Sequence, residues 1–79
     1  MPYYDFVWTD EIIEHVAEHG VTQEEFEEVV STPARVSVSR SSGHPCCWGE
    51  TADGRQLFCV YEFVDEMTII PVTAYDLLD

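Results

Sequence analysis

The sequence contains no lysine and only three arginines, against sixteen aspartate and glutamate residues, so its formal net charge is −13. Proteins bind nucleic-acid phosphates through clustered lysine and arginine, so most of this surface repels free nucleic acid. Residues 1–31 hold nine acids and no arginine, and all three arginines lie between Arg35 and Arg55. Two interpretations follow: a solvated acidic face that keeps a small domain soluble, or an acidic helical surface that docks a basic partner protein.

Other scarce features narrow the class of protein. No apolar run approaches the roughly 18 residues that span a membrane, and the N-terminal stretch lacks the regions of a signal peptide. The three cysteines, an odd number, argue for free thiols rather than a disulfide framework. His44 lies near Cys46 and Cys47 but without the paired spacing of a zinc site. We predict a cytoplasmic protein of one domain, residues 1–79, with no membrane segment, metal or cofactor.

Two short helices are predicted from their terminal residues. Thr9 is a suitable N-cap for a helix at about 10–19, and Gly20 fits the left-handed position that ends it. The second helix, at about 22–31, begins with the capping box formed by Thr22 and Glu25 and stops before Pro33. The two segments therefore predict a helical hairpin with a tight turn at Gly20.

The stretch from Arg55 to Tyr75 contains the most β-forming apolar sequence, with two runs around a short polar turn. This pattern is typical of an antiparallel hairpin. The segment at 34–40 alternates apolar and polar residues, and Ala52-Asp53-Gly54 is a hairpin turn signal. We predict four strands, at about 34–40, 46–51, 55–63 and 67–75. Residues Tyr3 to Trp8 form either a further short strand or an anchor.

The length of the turn at Asp53-Gly54 decides which strand faces are buried. A two-residue turn sets Trp48 opposite Cys59, whereas a three-residue turn sets Cys47 opposite Cys59. With the shorter turn, and a two-residue Asp65-Glu66 turn between the last strands, the helix-covered face collects eight residues: Cys46, Trp48, Leu57, Cys59, Tyr61, Ile70, Val72 and Ala74. Pro71 indicates that the last strand is an edge strand or is bulged there. The predicted fold is α+β, a helical hairpin on a four-stranded antiparallel sheet in the order α-α-β-β-β-β.

Several short motifs resemble the BrnT-like branch of the RelE/ParE toxin superfamily. They are Phe6-x-Trp8, the His19-Gly20-Val21 helix end, the Glu-rich second helix, Gly49 before the turn, Gly54-Arg55 with the β run after it, and Val72-Thr73-Ala74. The resemblance implies a small ribonuclease toxin of a type II toxin-antitoxin system, neutralised by an antitoxin. The chain departs from this branch in being acidic: Glu18 stands where the branch has a lysine, and Tyr75 where it usually has an arginine. We therefore leave open whether it is an enzyme.

Three side chains are the candidates for RNA cleavage, which needs a cation for the phosphate and groups that move protons. Arg35, Arg55 and Tyr75 are placed by the predicted topology at the same end of the sheet. In the alternative interpretation, Arg55 pairs with Asp53 or Asp76 and has no catalytic role.

We therefore expect a toxin-like protein that acts on RNA. One alternative is a non-catalytic acidic module of the same fold that binds a basic protein. The other is a self-associating module that forms a homo-oligomer through an exposed edge strand at Met67–Tyr75.

Overall fold

A computed structural model gives the structure of residues 4–77, in which two helices pack on a five-stranded mixed sheet. Residues 1–3, 78 and 79 lie outside the described residues, and so does the Tyr3 end of the segment predicted as a short strand or an anchor. The helices are α1 (Asp10–Glu18) and α2 (Gln23–Ser31). The strands are β1 (Asp5–Phe6), β2 (Arg35–Val38), β3 (Pro45–Glu50), β4 (Gln56–Phe63) and β5 (Thr68–Asp76).

Both helices begin and end within one residue of the predicted bounds. The Thr9 hydroxyl accepts from the Ile12 amide at 3.2 Å, and Thr22 and Glu25 form the full capping box. Gly20 has φ +78°, and the amide of Val21 donates to the carbonyl of Val16 at 3.0 Å. This is a Schellman motif, which needs a residue in the left-handed conformation. The predicted helical hairpin is confirmed.

The predicted α+β class is also confirmed, but the prediction of a purely antiparallel four-stranded sheet is wrong. The strand order is β1-β5-β4-β3-β2, and β1 runs parallel to β5 with Asp5 beside Thr68 and Phe6 beside Ile69. The segment around Phe6 is therefore a strand. Strand β1 pairs with the first two residues of β5, Thr68 and Ile69, so β5 is not the outermost strand. The other prediction for Pro71, a bulge, is confirmed: Tyr61 pairs with Pro71 and Val60 with Thr73, which leaves Val72 without a partner on β4. The two edges of the sheet are β1 and β2.

The register between β3 and β4 follows the longer of the two turns considered, with Cys47 opposite Cys59. The prediction that Cys46 and Trp48 face the helices is therefore wrong, because one extra turn residue exchanges the two faces of a strand. The predicted Asp65-Glu66 turn is also wrong: Val64 donates to Thr68 across a longer turn. A bulge at Val72 then restores Ala74 to the helix-covered face, as predicted.

The core lies between the helices and one face of the sheet. Phe26 is fully buried at its centre, and the rings of Phe6 and Trp8 pack edge-on against it, with centroids 6.2 and 5.4 Å away. The buried residues are Val16, Val21, Phe26, Val29 and Val30 of the helical hairpin, with Cys47, Leu57, Cys59, Tyr61, Ile69 and Ala74 of the sheet. Helix α2 covers β3 and β4, whereas α1 packs beside β5. Within residues 4–77 no helix is long and apolar enough to cross a membrane.

Candidate functional site

Arg55 forms a structural clamp at the end of the sheet. Its Nη1 donates to both carboxylate oxygens of Glu25, at 2.9 and 2.7 Å, and its Nε donates to Asp76 Oδ2 at 3.0 Å. Nη2 donates to the carbonyl of Gly20 at 2.7 Å. These contacts tie the end of α1, the capping box of α2 and the end of β5 to the start of β4. Pairing with Asp76, one of the two partners predicted for a structural role, is confirmed.

The positive charge of Arg55 is paired with the carboxylates of Glu25 and Asp76. Hydrogen bonds from Asp76 and Glu25 raise the pKa of Arg55, so the guanidinium stays protonated throughout the accessible pH range. Two carboxylates neutralise a single cation here, which leaves the cluster with net negative charge. A phosphate would have to displace a bidentate carboxylate to bind Arg55.

Arg35 and Tyr75 lie at opposite ends of one cross-strand row on the sheet face away from the core. Arg35 pairs with Trp48, Trp48 with Phe58, and Phe58 with Tyr75. Adjacent strands are about 4.8 Å apart, so Arg35 and Tyr75 are roughly 14 Å apart. The predicted site residues therefore share an end of the sheet, but Arg35 and Tyr75 are separated along this row and Arg55 is held on the helix side.

We call this row, Arg35-Trp48-Phe58-Tyr75, the aromatic row. The rings of Trp48 and Phe58 have centroids 4.9 Å apart, and those of Phe58 and Tyr75 are 5.2 Å apart. Tyr75 is 41% exposed, and Arg35 is also exposed. The rings thus form a partly accessible apolar platform with a cation at one end.

His15 of α1 and His19, the residue that caps the C-terminus of α1, extend the aromatic row beyond Tyr75. The sequence analysis did not place them there. The His19 ring lies 6.2 Å from the Tyr75 ring, and the His15 ring lies 5.3 Å from the His19 ring. His15 Nε2 is 2.9 Å from the Thr73 hydroxyl. The spacing of four residues puts both histidines on one side of α1. The sequence does not show that α1 packs beside β5, and this packing is what brings the two histidines close to Tyr75.

A second candidate surface is the groove between α1 and α2. It has a volume of about 490 Å³ and is lined by Ile13, Ala17, Val21, Thr22, Gln23 and Glu24. Among the described residues, none of the four acids of α1 (Asp10, Glu11, Glu14 and Glu18) lies within ion-pair distance of a cation. Helical spacing places Asp10 and Glu14 next to Ile13 and Ala17. The groove therefore combines an apolar floor with uncompensated negative charge.

The cysteines are buried free thiols, as the sequence analysis expects. Cys47 and Cys59 face each other in the core, and a hydrogen bond from Cys59 lowers the pKa of the Cys47 thiol. The pKa of the Cys59 thiol is raised by that contact and by burial. Neither thiol is exposed to a substrate, because both side chains are fully buried. Within residues 4–77, no three His, Cys, Asp or Glu side chains are placed to share a metal ion.

Comparison of the chain with models of protein families, with curated proteins and with solved structures finds no match.

Proposed function

We propose that this chain is a non-catalytic acidic docking module that binds a basic, amphipathic helix of a partner protein in the groove between α1 and α2. The observation that carries this proposal is the apolar floor of Ile13, Ala17 and Val21. The neighbouring carboxylates of Asp10 and Glu14 have no cation within ion-pair distance among residues 4–77. Helix-in-groove recognition uses apolar anchors at helical spacing, and charge on the rim of the groove selects the partner.

The distribution of charge fits a basic partner. Both helices carry acids in their first turns, Asp10 and Glu11 in α1 and Glu24 and Glu25 in α2. Of these acids, Glu25 is paired with Arg55, whereas the other three are exposed. Lysine and arginine side chains of a bound helix would supply the missing counter-charges. Because the carboxylates are exposed, they contribute more to association rate and partner choice than to affinity.

The test uses a labelled 14-residue peptide of leucine and lysine that forms an amphipathic helix, with a scrambled peptide of the same composition. Fluorescence anisotropy should show binding of the amphipathic peptide, weakened by salt. Ala17→Gln fills the floor and should reduce affinity about tenfold, a loss of about 1.4 kcal/mol. Ala52→Gln, at an exposed position outside the groove, is its matched control.

Two substitutions that each remove one negative charge complete this experiment. Glu14→Gln should reduce the association rate more than Glu66→Gln, which removes the same charge from the β4–β5 turn. Equal binding of the scrambled peptide, or equal affinity of the Ala17 and Ala52 variants, would show that net charge alone is responsible and would refute the groove proposal.

A second candidate is the RNA-cleaving toxin that the sequence resemblance implies, with an antitoxin as its partner. The observation that favours it is the aromatic row. Bases of single-stranded RNA stack on aromatic side chains, Arg35 could neutralise a phosphate, and the imidazole of His19 lies beside Tyr75, where it could transfer a proton. Arg55 would support the fold rather than the chemistry. With either function we propose a cytoplasmic location, as expected from the sequence.

Growth arrest on induction, together with cleavage of purified RNA, would support the toxin proposal. Tyr75→Phe and Arg35→Gln should abolish cleavage without unfolding the protein, since both side chains are exposed. Phe63→Leu, at another exposed aromatic position (43% exposed), is the control. Harmless expression and intact RNA would leave the docking module as the remaining proposal.

A further inference from the structure

Strand β2 is an edge of the sheet that carries exposed apolar side chains. Val36 and Val38 are 60% and 61% exposed. Val36 is paired with the buried Cys47, so both valines belong to the face that the helices cover, at an edge where they stay exposed. An edge strand with exposed apolar residues is a template for pairing with another strand.

The hydrogen bonds at the end of β2 indicate which of its backbone groups face away from β3. Ser39 donates to the carbonyl of His44 at 2.8 Å, across the β2–β3 pair. Bonding in an antiparallel pair alternates, so Ser37 and Arg35 also direct their amides and carbonyls toward β3. The amides and carbonyls of Val36 and Val38 therefore point outward from the sheet.

The charge of this region differs from the rest of the chain. Residues 29–49 contain Arg35 and Arg40 and no aspartate or glutamate, whereas the nine acids before this segment and the seven after it are accompanied only by Arg55. Two copies of such an acidic chain repel each other when most of their surfaces approach. The β2 edge is the region where two copies meet with the least like-charge repulsion.

We propose that two copies of this chain pair antiparallel through β2 about a two-fold axis at Ser37, which joins their sheets into one. In this register Val36 of each copy pairs with Val38 of the other, so that every outward amide and carbonyl of these valines is hydrogen-bonded. The four valines then meet on one face. Arg35 lies opposite Ser39 of the second copy, so no two arginines face each other.

The association should have a distinctive dependence on salt. Its contacts are backbone hydrogen bonds and apolar side chains, while the two acidic bodies repel each other. Added salt screens that repulsion, because the Debye length falls from roughly 20 Å at about 20 mM sodium chloride to roughly 6 Å at about 300 mM. Sedimentation velocity should therefore show more dimer at the higher of these two concentrations. Binding of a basic peptide in the α1–α2 groove has the opposite salt dependence, which separates the two proposals.

Cross-linking tests the register. At the two-fold axis, Ser37 of one copy lies opposite Ser37 of the other in a non-hydrogen-bonded pair. The Cα atoms of such a pair are about 4.5 Å apart, which allows a disulfide between cysteines at these positions. The Ser37→Cys variant should form a covalent dimer on mild oxidation by oxidised glutathione. Two thiols lose two protons and two electrons to glutathione disulfide, which is reduced to glutathione. Ser41→Cys, in the loop beyond β2, is the control and should cross-link at least tenfold more slowly.

A matched pair of charge substitutions tests the surface. Val36→Lys should weaken dimerisation at least tenfold, whereas Val64→Lys, at a position 59% exposed in the β4–β5 turn, should leave it unchanged. Circular dichroism checks that both variants remain folded. The proposal is overturned if the protein is monomeric at all concentrations and salt levels. It is also overturned if Val64→Lys disrupts the dimer and Val36→Lys does not, or if Ser37→Cys cross-links no faster than Ser41→Cys.

Discussion

Replacing Gly49 by alanine should place a methyl group inside the contact between β3 and α2. A Cβ atom at Gly49 would lie 2.9 Å from Val29 Cγ1, 3.6 Å from Val29 Cβ and 3.7 Å from the Ala34 amide nitrogen. The closest of these distances is well inside van der Waals contact. Val29 is fully buried, so its side chain has little room to move and α2 must shift away from the sheet.

The expected cost follows from two opposing effects. Overpacking a core by a methyl group costs about 1–3 kcal/mol, while replacing glycine by alanine inside a strand recovers roughly 0.5–1 kcal/mol. Because Val29 is fully buried, the overpacking cost should lie in the upper part of its range, about 2–3 kcal/mol, and the net loss should be about 1–2.5 kcal/mol. A domain of this length has a free energy of unfolding of roughly 4–12 kcal/mol, so the variant remains folded and the loss is measurable.

A double-mutant cycle identifies Val29 as the obstacle. Val29→Ala removes two methyl groups, and the transfer and cavity effects together should cost about 2–3 kcal/mol. In the double variant the new methyl at residue 49 occupies part of the space that Val29 vacates. The double variant should therefore be about 1–2 kcal/mol more stable than the sum of the single losses predicts.

Urea unfolding followed by far-ultraviolet circular dichroism measures all four proteins, because the tryptophan next to Gly49 makes fluorescence a poor reporter. Gly43→Ala is the control. A Cβ there meets no atom within 4 Å, but φ is +74°, so its cost is conformational and should add to that of Val29→Ala. A loss below about 0.5 kcal/mol for Gly49→Ala, or additive losses in the cycle, would refute the packing argument.

Three further outcomes are expected. Arg55→Met should lower the urea midpoint because Glu25 and Asp76 lose their shared cation, whereas Arg35→Met should leave it unchanged. Thr22→Ala should cost about 1 kcal/mol by breaking the capping box, which thermal unfolding measures against wild type. Burial raises the pKa of Tyr61 from 10.0 to about 12. Because the neutral phenol is favoured in the folded state, stability should be fully present below pH 10 and fall as the pH rises toward 12. Tyr61→Phe should remove this part of the pH dependence of the free energy of unfolding. Unfolding free energies that vary with pH in the same way in Tyr61→Phe and in wild type would contradict this expectation.

The helical hairpin could be predicted from sequence because its determinants are local. Thr9, Thr22 with Glu25, and Gly20 each act on backbone groups a few residues away, so their types and spacing are sufficient. Strands β2 to β5 could also be located within a few residues, because their β-branched and aromatic content is distinctive.

The predictions for the sheet were wrong at positions where one extra residue in a turn or strand changes which side chains face the core. The turn at Asp53-Gly54 was compatible with two lengths, and the choice between them decides whether Cys47 or Trp48 faces the core. The bulge at Val72 opposite the Val60–Tyr61 step is a second such shift, and only Pro71 gave a sign of it. Strand β1 has two residues, too few for any periodicity to appear.

The candidate site was less predictable than the fold, because it depends on side-chain partners far apart in the sequence. Topology placed Arg35, Arg55 and Tyr75 at one end of the sheet, but not the contacts that engage Arg55 on the helix side. The aromatic row requires the correct β3 register, and its extension to His19 requires the packing of α1 beside β5.

The parallel pairing of β1 with β5 also constrains the order of folding. Asp5 and Thr68 are about 60 residues apart, and closing a loop of that length carries an entropic cost of several kcal/mol. During synthesis, β1 emerges from the ribosome long before its partner strand exists. The helical hairpin and the three-stranded meander β2–β4 can form first, and the N-terminal segment should be among the last parts of the domain to become protected from hydrogen exchange.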